Sequence, residues 1–240
     1  MAEWALKRFW TNVTVAAETG SGWTVRLDGR SLSGPVSREP LVLPSRPLAE
    51  AVAQEWREQE DVVRPDAMPM TRFANTAQDR VSAEFEAVAH IVAAFAQTDL
   101  LCYRAEAPAE LAARQAQAWD PLLDWAASEF GARLRATVGV LPIAQAPDAL
   151  DRLAEEVARG SSWRLTALHE LVVLSGSLVI GLAVERAVRT PEEAWAISRL
   201  DEDWQASQWG RDDEAEAAAQ RRWRAFEDAA QFLWLATQGR

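Results

Sequence analysis

Short runs near the start of the chain alternate apolar and polar positions, the two-residue period of strands with one buried face. Val13 and Val15 share one side of such a strand, and Trp23, Val25 and Leu27 repeat the pattern after a turn cluster, Thr19-Gly20-Ser21-Gly22. Asp28-Gly29 then predicts a tight hairpin turn, because both residues tolerate positive φ. Gly34-Pro35 and Leu41-Val42-Leu43, closed by Pro44, predict one more short strand. A small antiparallel sheet of this kind is marginal alone and has to lean on a neighbour.

From Ser45 onward the period lengthens to that of helices. Leu48, Ala51, Val52 and Trp56 share a face, with Ser45 as the cap and Pro47 in the first turn. Val81, Phe85, Val88, Val92 and Phe95 step by four and three residues, as do Leu111, Gln115, Ala118, Leu122 and Trp125, where Pro121 predicts a break or kink. Leu150, Leu153 and Val157 follow Pro147 and end at Gly160. The most apolar stretch, Leu171 to Val184, is too short for a span of roughly 20 residues and reads as one buried core helix. Its Ser175-Gly176-Ser177 lies mid-helix, where small residues let helices approach. Thr190-Pro191-Glu192-Glu193 is a capping box, and Trp223, Phe226, Ala230 and Leu233 mark a C-terminal helix. The fold class expected is α+β: a small N-terminal antiparallel β domain over residues 1–45, then a larger all-helical domain over residues 46–240.

Composition narrows the function. Twenty-five basic and 36 acidic residues leave a net charge of −11, which argues against a nucleic-acid binder and against docking on anionic lipid. The one cysteine, Cys102, forms no internal disulfide, and with two histidines it leaves little material for a zinc site or a catalytic triad. The opening residues have neither a signal-peptide core nor transit-peptide character, so no membrane insertion is expected.

Specific chemistries fail one by one. His169-Glu170 lacks a second histidine four residues on, and Glu86 and His90 stand four apart where a di-iron helix needs three. No glycine loop of either phosphate-binding type appears, so neither nucleotide nor cofactor is expected. Cys102, between Leu101 and Tyr103, reads as core. Acid is plentiful: Asp201-Glu202-Asp203 and Asp212-Asp213-Glu214 flank Trp204 to Gly210. Three readings stay open for it: a solvated face over two core tryptophans, a partner-binding surface, or a carboxylate pair in a hydrolase. Twelve tryptophans beside one tyrosine exceed what a core this size needs, and any left outside would point to a partner.

Several separated stretches together carry a resemblance. They are Pro47-Leu48-Ala49 with Ala53 and Glu55-Trp56; Asn75-Thr76 with Asp79; Thr98-Asp99 with Cys102-Tyr103-Arg104; Trp119-Asp120-Pro121 with Trp125-Ala126; and Ser198-Arg199-Leu200 with Glu202, Gln205 and Trp209-Gly210. In this order and spacing the chain resembles the assembly chaperones that escort the α subunit of the F1 sector of the F-type ATP synthase. The resemblance implies a non-enzymatic protein that holds new α subunit until β replaces it. It also implies partner-binding residues at Glu202, Gln205, Trp209 and Gly210, with Asp212 and, as a looser match, Asp213 just beyond. Glu55 and Trp56 are a further candidate surface pair, a buried helix–sheet contact being the favoured reading for Trp56. After Trp209-Gly210 this chain reads Arg-Asp-Asp-Glu, where relatives often carry Glu-Trp or a glutamate-rich run. Mitochondrial relatives carry an import sequence, and none is seen here, which predicts a bacterial cytoplasmic protein. The alternatives are a helical scaffold or adaptor for another protein and, less well supported, a carboxylate-dependent hydrolase.

Overall fold

The computed structural model describes residues 7–18, 20, 22–210 and 212–237. Thr19 and Ser21 of the turn cluster, the first six residues and Arg211 lie outside the described residues. The chain packs as two compact units: Met1–Phe85 with Ser161–Ala167 and Gln231–Arg240, and Glu86–Gly160 with Leu168–Ala230.

In the first unit, β1 (Val13–Glu18), β2 (Gly22–Leu27) and β3 (Arg30–Ser31) form an antiparallel sheet in that order, with Val15 opposite Val25. The turn between β2 and β3 has positive φ at both central residues, 46° at Asp28 and 83° at Gly29. That is the primed geometry whose twist matches the strands it joins. The strand expected at Leu41–Leu43 is corrected by the structure. Leu43 makes a single bridge to Trp23, because the donors of the segment go to three different partners: the Leu43 N–H to the Trp23 carbonyl at 2.7 Å, the Leu41 N–H to the Leu32 carbonyl at 2.8 Å and the Val42 N–H to the Gln78 side chain at 3.1 Å.

Helix α1 (Arg46–Arg57) buries Leu48, Ala49, Val52 and Ala53. Its packing on β1 and β2 supplies the cover that the small sheet lacks by itself. The Ser45 hydroxyl accepts the Leu48 N–H at 3.2 Å and donates to the Leu235 carbonyl at 2.5 Å. Helix α2 (Pro69–Thr76) follows, and Phe73 stacks on Phe232 at 5.1 Å. The Asp79 carboxylate holds a surface loop, accepting the Val36 N–H and the Ser37 hydroxyl at 2.8 and 2.6 Å.

The second unit is mostly helical. Its elements are α3 (Phe85–Ala94), β4 (Tyr103–Arg104), α4 (Ala109–Glu129), β5 (Thr137–Val138), α5 (Pro147–Ala158), α6 (Ser162–Ser175), α7 (Leu178–Glu185), α8 (Pro191–Ser198), α9 (Leu200–Trp209) and α10 (Asp213–Thr237). Helices α3, α6 and α10 contribute residues to both units. Strands β4 and β5 pair in parallel, and α4 runs through Pro121 without interruption. The α+β expectation holds: a small antiparallel sheet is followed by a larger helical region.

Two readings of the apolar stretches change. The single core helix over Leu171 to Val184 is two helices, broken at Gly176 (φ 72°), and Ser177 caps α7 by accepting the Ile180 N–H at 3.0 Å. The close approach falls instead at Gly181, where a Cβ would meet Val172 Cγ2 at 2.7 Å. Phe85–Cys102 has the length and apolarity of a membrane span, yet here it divides into α3 and two 3-10 turns separated by Asp99.

Asp99 explains that division. Its buried carboxylate accepts the Leu101 N–H at 3.0 Å and the Val179 N–H at 3.1 Å, while the Leu100 N–H donates to the Gly176 carbonyl at 3.1 Å. Burial pushes its pKa up to about 6, against the opposing pull of the Ser177 hydroxyl and the Val179, Leu101 and Leu178 amides. The folded value therefore lies above the 3.8 of a free aspartate, so the fold binds this proton more tightly than the unfolded chain does. The Asp99 contribution is fully present below about pH 4 and is lost as pH rises through about 6. Urea titrations of the parent and an Asp99→Asn variant should show the parent's relative stability falling across that window. A difference that stays constant with pH would show that Asp99 titrates as in the unfolded chain.

Candidate partner-binding surface

The second unit presents an acidic corner at α8 and α9. Helix α8 begins with the expected capping box: Thr190 Oγ1 accepts the Glu193 N–H at 3.3 Å, and the Glu193 carboxylate accepts the Thr190 N–H at 3.1 Å. Trp119, buried in α4, donates its indole N–H to the Ile197 carbonyl at 3.0 Å and so fixes the end of α8. Buried Arg104 lies over the Trp119 ring at 5.0 Å and pairs with Asp120 at 2.6 Å.

No residue of α9 is buried, so packing alone does not hold this helix. Its inner side is tied to α4 by polar contacts instead. Gln115, 1% exposed, accepts the Ala105 N–H at 2.7 Å and donates to the Asp201 carboxylate at 2.7 Å. The Arg114 guanidinium of α4 covers the Trp204 ring at 4.7 Å; within α9 itself, Arg199 at the helix start pairs with exposed Asp203 at 3.6 Å.

The outer side carries the residues singled out from the sequence. Glu202, Gln205 and Trp209 stand at i, i+3 and i+7, which places them along one face of the helix. All three are exposed, Trp209 to 81%, and Glu202 makes no ion pair among the described residues. Gly210, with φ 94°, closes the helix by donating its N–H to the Ala206 carbonyl at 3.0 Å. Asp212 opens α10, its carboxylate accepting the Glu214 N–H at 2.9 Å, and exposed Asp213 begins the helix. Carboxylates in the first turn of α9 and of α10 also favour the positive ends of both helix dipoles.

Glu55 and Trp56 belong to the other unit and do not join this face. The surface role expected of Glu55 is corrected: its buried carboxylate accepts the Met70 N–H at 2.6 Å, the Thr71 N–H at 2.8 Å and the Thr71 hydroxyl at 2.6 Å. It therefore caps the start of α2. Trp56 is half-buried and meets Trp10 edge-to-face at 5.0 Å, while its carbonyl accepts the Trp10 indole N–H at 3.3 Å.

The tryptophan surplus resolves in the same way. Trp195, Trp223 and Phe226 cluster with ring centroids 5.5 to 6.4 Å apart, and Trp163 lies 6.3 Å from Phe232. Among the described residues only Trp209 and Trp234 are exposed. Cys102 is core: burial first, then the nearby Asp99 charge, pushes its thiol up to about 12.

Sequence reasoning missed Gln115, which it counted only as a member of the apolar stripe of α4. The available signal was a glutamine at a stripe position, since a buried amide has to find partners. As for chemistry, general acid–base work needs a cleft that excludes water, and these carboxylates stand on a helix without a buried residue. Among the described residues no group of three or more His, Cys, Asp and Glu side chains could hold a metal.

Replacing Gln115 by leucine keeps the volume and deletes both bonds, leaving the Ala105 N–H and the Asp201 carboxylate without this partner. The expected loss of stability is about 1–3 kcal/mol. Tryptic cleavage at Arg199 should accelerate; equal digestion of parent and variant would remove Gln115 as the tether of α9.

Comparison with known proteins gives this surface its context. A model of the family described as ATP12 chaperone protein matches residues 7–127. The mitochondrial protein atp12 of Schizosaccharomyces pombe is 26% identical over 218 residues, covering 86% of this chain and 74% of that protein. The crystal structure of Atp12 from Paracoccus denitrificans superposes with a TM-score of 0.92 at 48% identity, over 96% of this chain and 98% of that one. The Atu1473 protein of Agrobacterium tumefaciens gives 0.90 at 41% identity, over 95% and 85%. Sequence and fold agree across nearly the whole length, and the chain belongs to the ATP12 family of F1-ATPase assembly chaperones.

Proposed function

We propose that the protein binds the unassembled α subunit of the F1 sector and keeps it from aggregating until it pairs with β. The family supplies the coarser statement, an assembly factor of the F1-ATPase. The observation that carries the finer one is the outer face of α9, where an exposed indole, Trp209, shares a stripe with Glu202 and Gln205.

An orphan subunit exposes apolar and charged groups that the finished ring buries. Trp209 offers a large, rigid apolar contact of the kind that dominates interfaces. The carboxylates of α9 and the start of α10 speed encounter and set register without making the complex too tight to release. Release matters as much as capture, and an interface that is wet and charged at its rim dissociates more readily than one resembling a domain core. Exchange for β needs no nucleotide on the chaperone, because the assembled ring is the more stable partner. No bond is made or broken, so the protein acts as a binder and not as an enzyme. Relatives of known structure in two bacteria favour a bacterial setting, and we take the cytoplasm as the compartment.

Purified protein mixed with unassembled α subunit should co-elute with it and suppress its aggregation at micromolar concentration. Glu202→Lys should weaken that complex about five- to tenfold at low salt and much less at high salt, the signature of a rim charge. Trp209→Ala should weaken it at both. Undiminished protection by Glu202→Lys would remove that carboxylate from the interface. Failure of the parent protein to bind α, with capture of another subunit in its place, would redirect the reading to a different client.

A further inference from the structure

Beyond α9, the second unit holds a clamped loop with an apolar tip. Strand β5 pairs with β4 alone among the described residues, so its other edge is open. Past β5 the chain reads Val138-Gly139-Val140-Leu141-Pro142, with Val138 63%, Val140 89% and Leu141 77% exposed. Three apolar side chains held together in water on one loop differ from the scattered exposed residues that every surface carries.

The loop is built and not frayed. At its neck, buried Gln145 accepts the Arg135 N–H at 2.8 Å and donates to the Arg135 carbonyl at 3.0 Å, imitating a paired strand. Near its start, the Gly139 N–H donates to the Arg104 carbonyl at 2.8 Å. Gly139 has φ 84°, a left-handed conformation that glycine adopts without the strain a side chain would bring. The tip is thus presented by a fixed base, as binding loops commonly are.

The same base is continuous with the acidic helix. Arg104 precedes Ala105, whose N–H is held by Gln115, and Gln115 in turn holds Asp201 at the start of α9. Glu106 lies against Gly139, and Asp201, Glu202 and Asp203 stand beyond Gln115. Arg133, two residues before the neck, is paired with Asp124 at 3.5 Å.

We infer that the Val138–Leu141 tip and the open edge of β5 form a second docking point for the client, taking an extended apolar segment of the unassembled subunit with lysine or arginine beside it. The inference rests on the proposed binding of that subunit. Strand addition to the β5 edge supplies backbone pairing, the tip supplies apolar burial, and Glu106 with the α9 carboxylates selects a basic flank.

The test combines Val140→Ser with Leu141→Ser in the full chain, since both side chains are exposed and their loss leaves the core intact. Binding to purified α subunit is measured at about 0.05 M and about 0.5 M salt, beside the parent and Glu202→Lys. The double variant should bind at least about tenfold more weakly at both salt concentrations, because apolar burial is not screened. If it binds like the parent while Glu202→Lys is weakened, the docking point is wrong and the client assignment stands. A parent protein that binds no α subunit sinks the client assignment itself and this inference with it. If the parent self-associates and the double variant is monomeric, the tip joins two copies of this chain and the inference is overturned.

Discussion

One buried carboxylate decides how the helical unit is cut. Asp99 places its charge-bearing group in the interior and satisfies it with backbone amides from Leu101 and from the first turn of α7. Because the acceptor has to be fed, the chain breaks twice, at Asp99 itself and at Gly176-Ser177. These breaks set the direction in which α7 leaves α6, and Gly181 then allows α7 to close against Val172. Burial opposes ionisation while the helix N-terminus favours it, which is why the group sits near the middle of the acid range.

The acidic corner shows how the same residues serve architecture and recognition. Acid in the first turn of a helix stabilises that helix whatever lies outside it. On α9 the two duties are divided by face: Asp201 is fastened inward by Gln115, and Glu202 is left to solvent. A helix with no buried residue gains little from the hydrophobic effect, so polar ties to α4 replace it. Such ties hold position without enclosing the helix, and they leave its outer stripe free for a partner.

Features specified by neighbouring residues were legible in the sequence. The Asp28-Gly29 turn, the Ser45 cap and the Thr190 capping box each depend on residues within a few positions of one another. The break at Gly176 was not legible, because the carboxylate that enforces it lies 80 residues from the amide it captures at Val179. Leu41–Leu43 misled because its backbone donors reach Leu32, Gln78 and Trp23, partners that a local apolar pattern does not reveal. At the site, spacing found Glu202, Gln205 and Trp209, since a helical stripe is a local property. It misjudged Glu55, whose partners Met70 and Thr71 come from a different helix, and it missed the Gln115 tether, which links α4 to α9.

The hydrogen bond from Ser45 to Leu235 spans 190 residues. Phe73 likewise waits for Phe232 before its ring is stacked. The sheet-bearing unit therefore joins an early segment of the chain to a late one. During translation its strands and α1 have to persist without those closing contacts, in a state whose apolar surface is incompletely covered. A ribosome stalled just after Ala230 would release a product with its helical unit whole and its sheet unit without Phe232 and Leu235, a natural target for proteolysis.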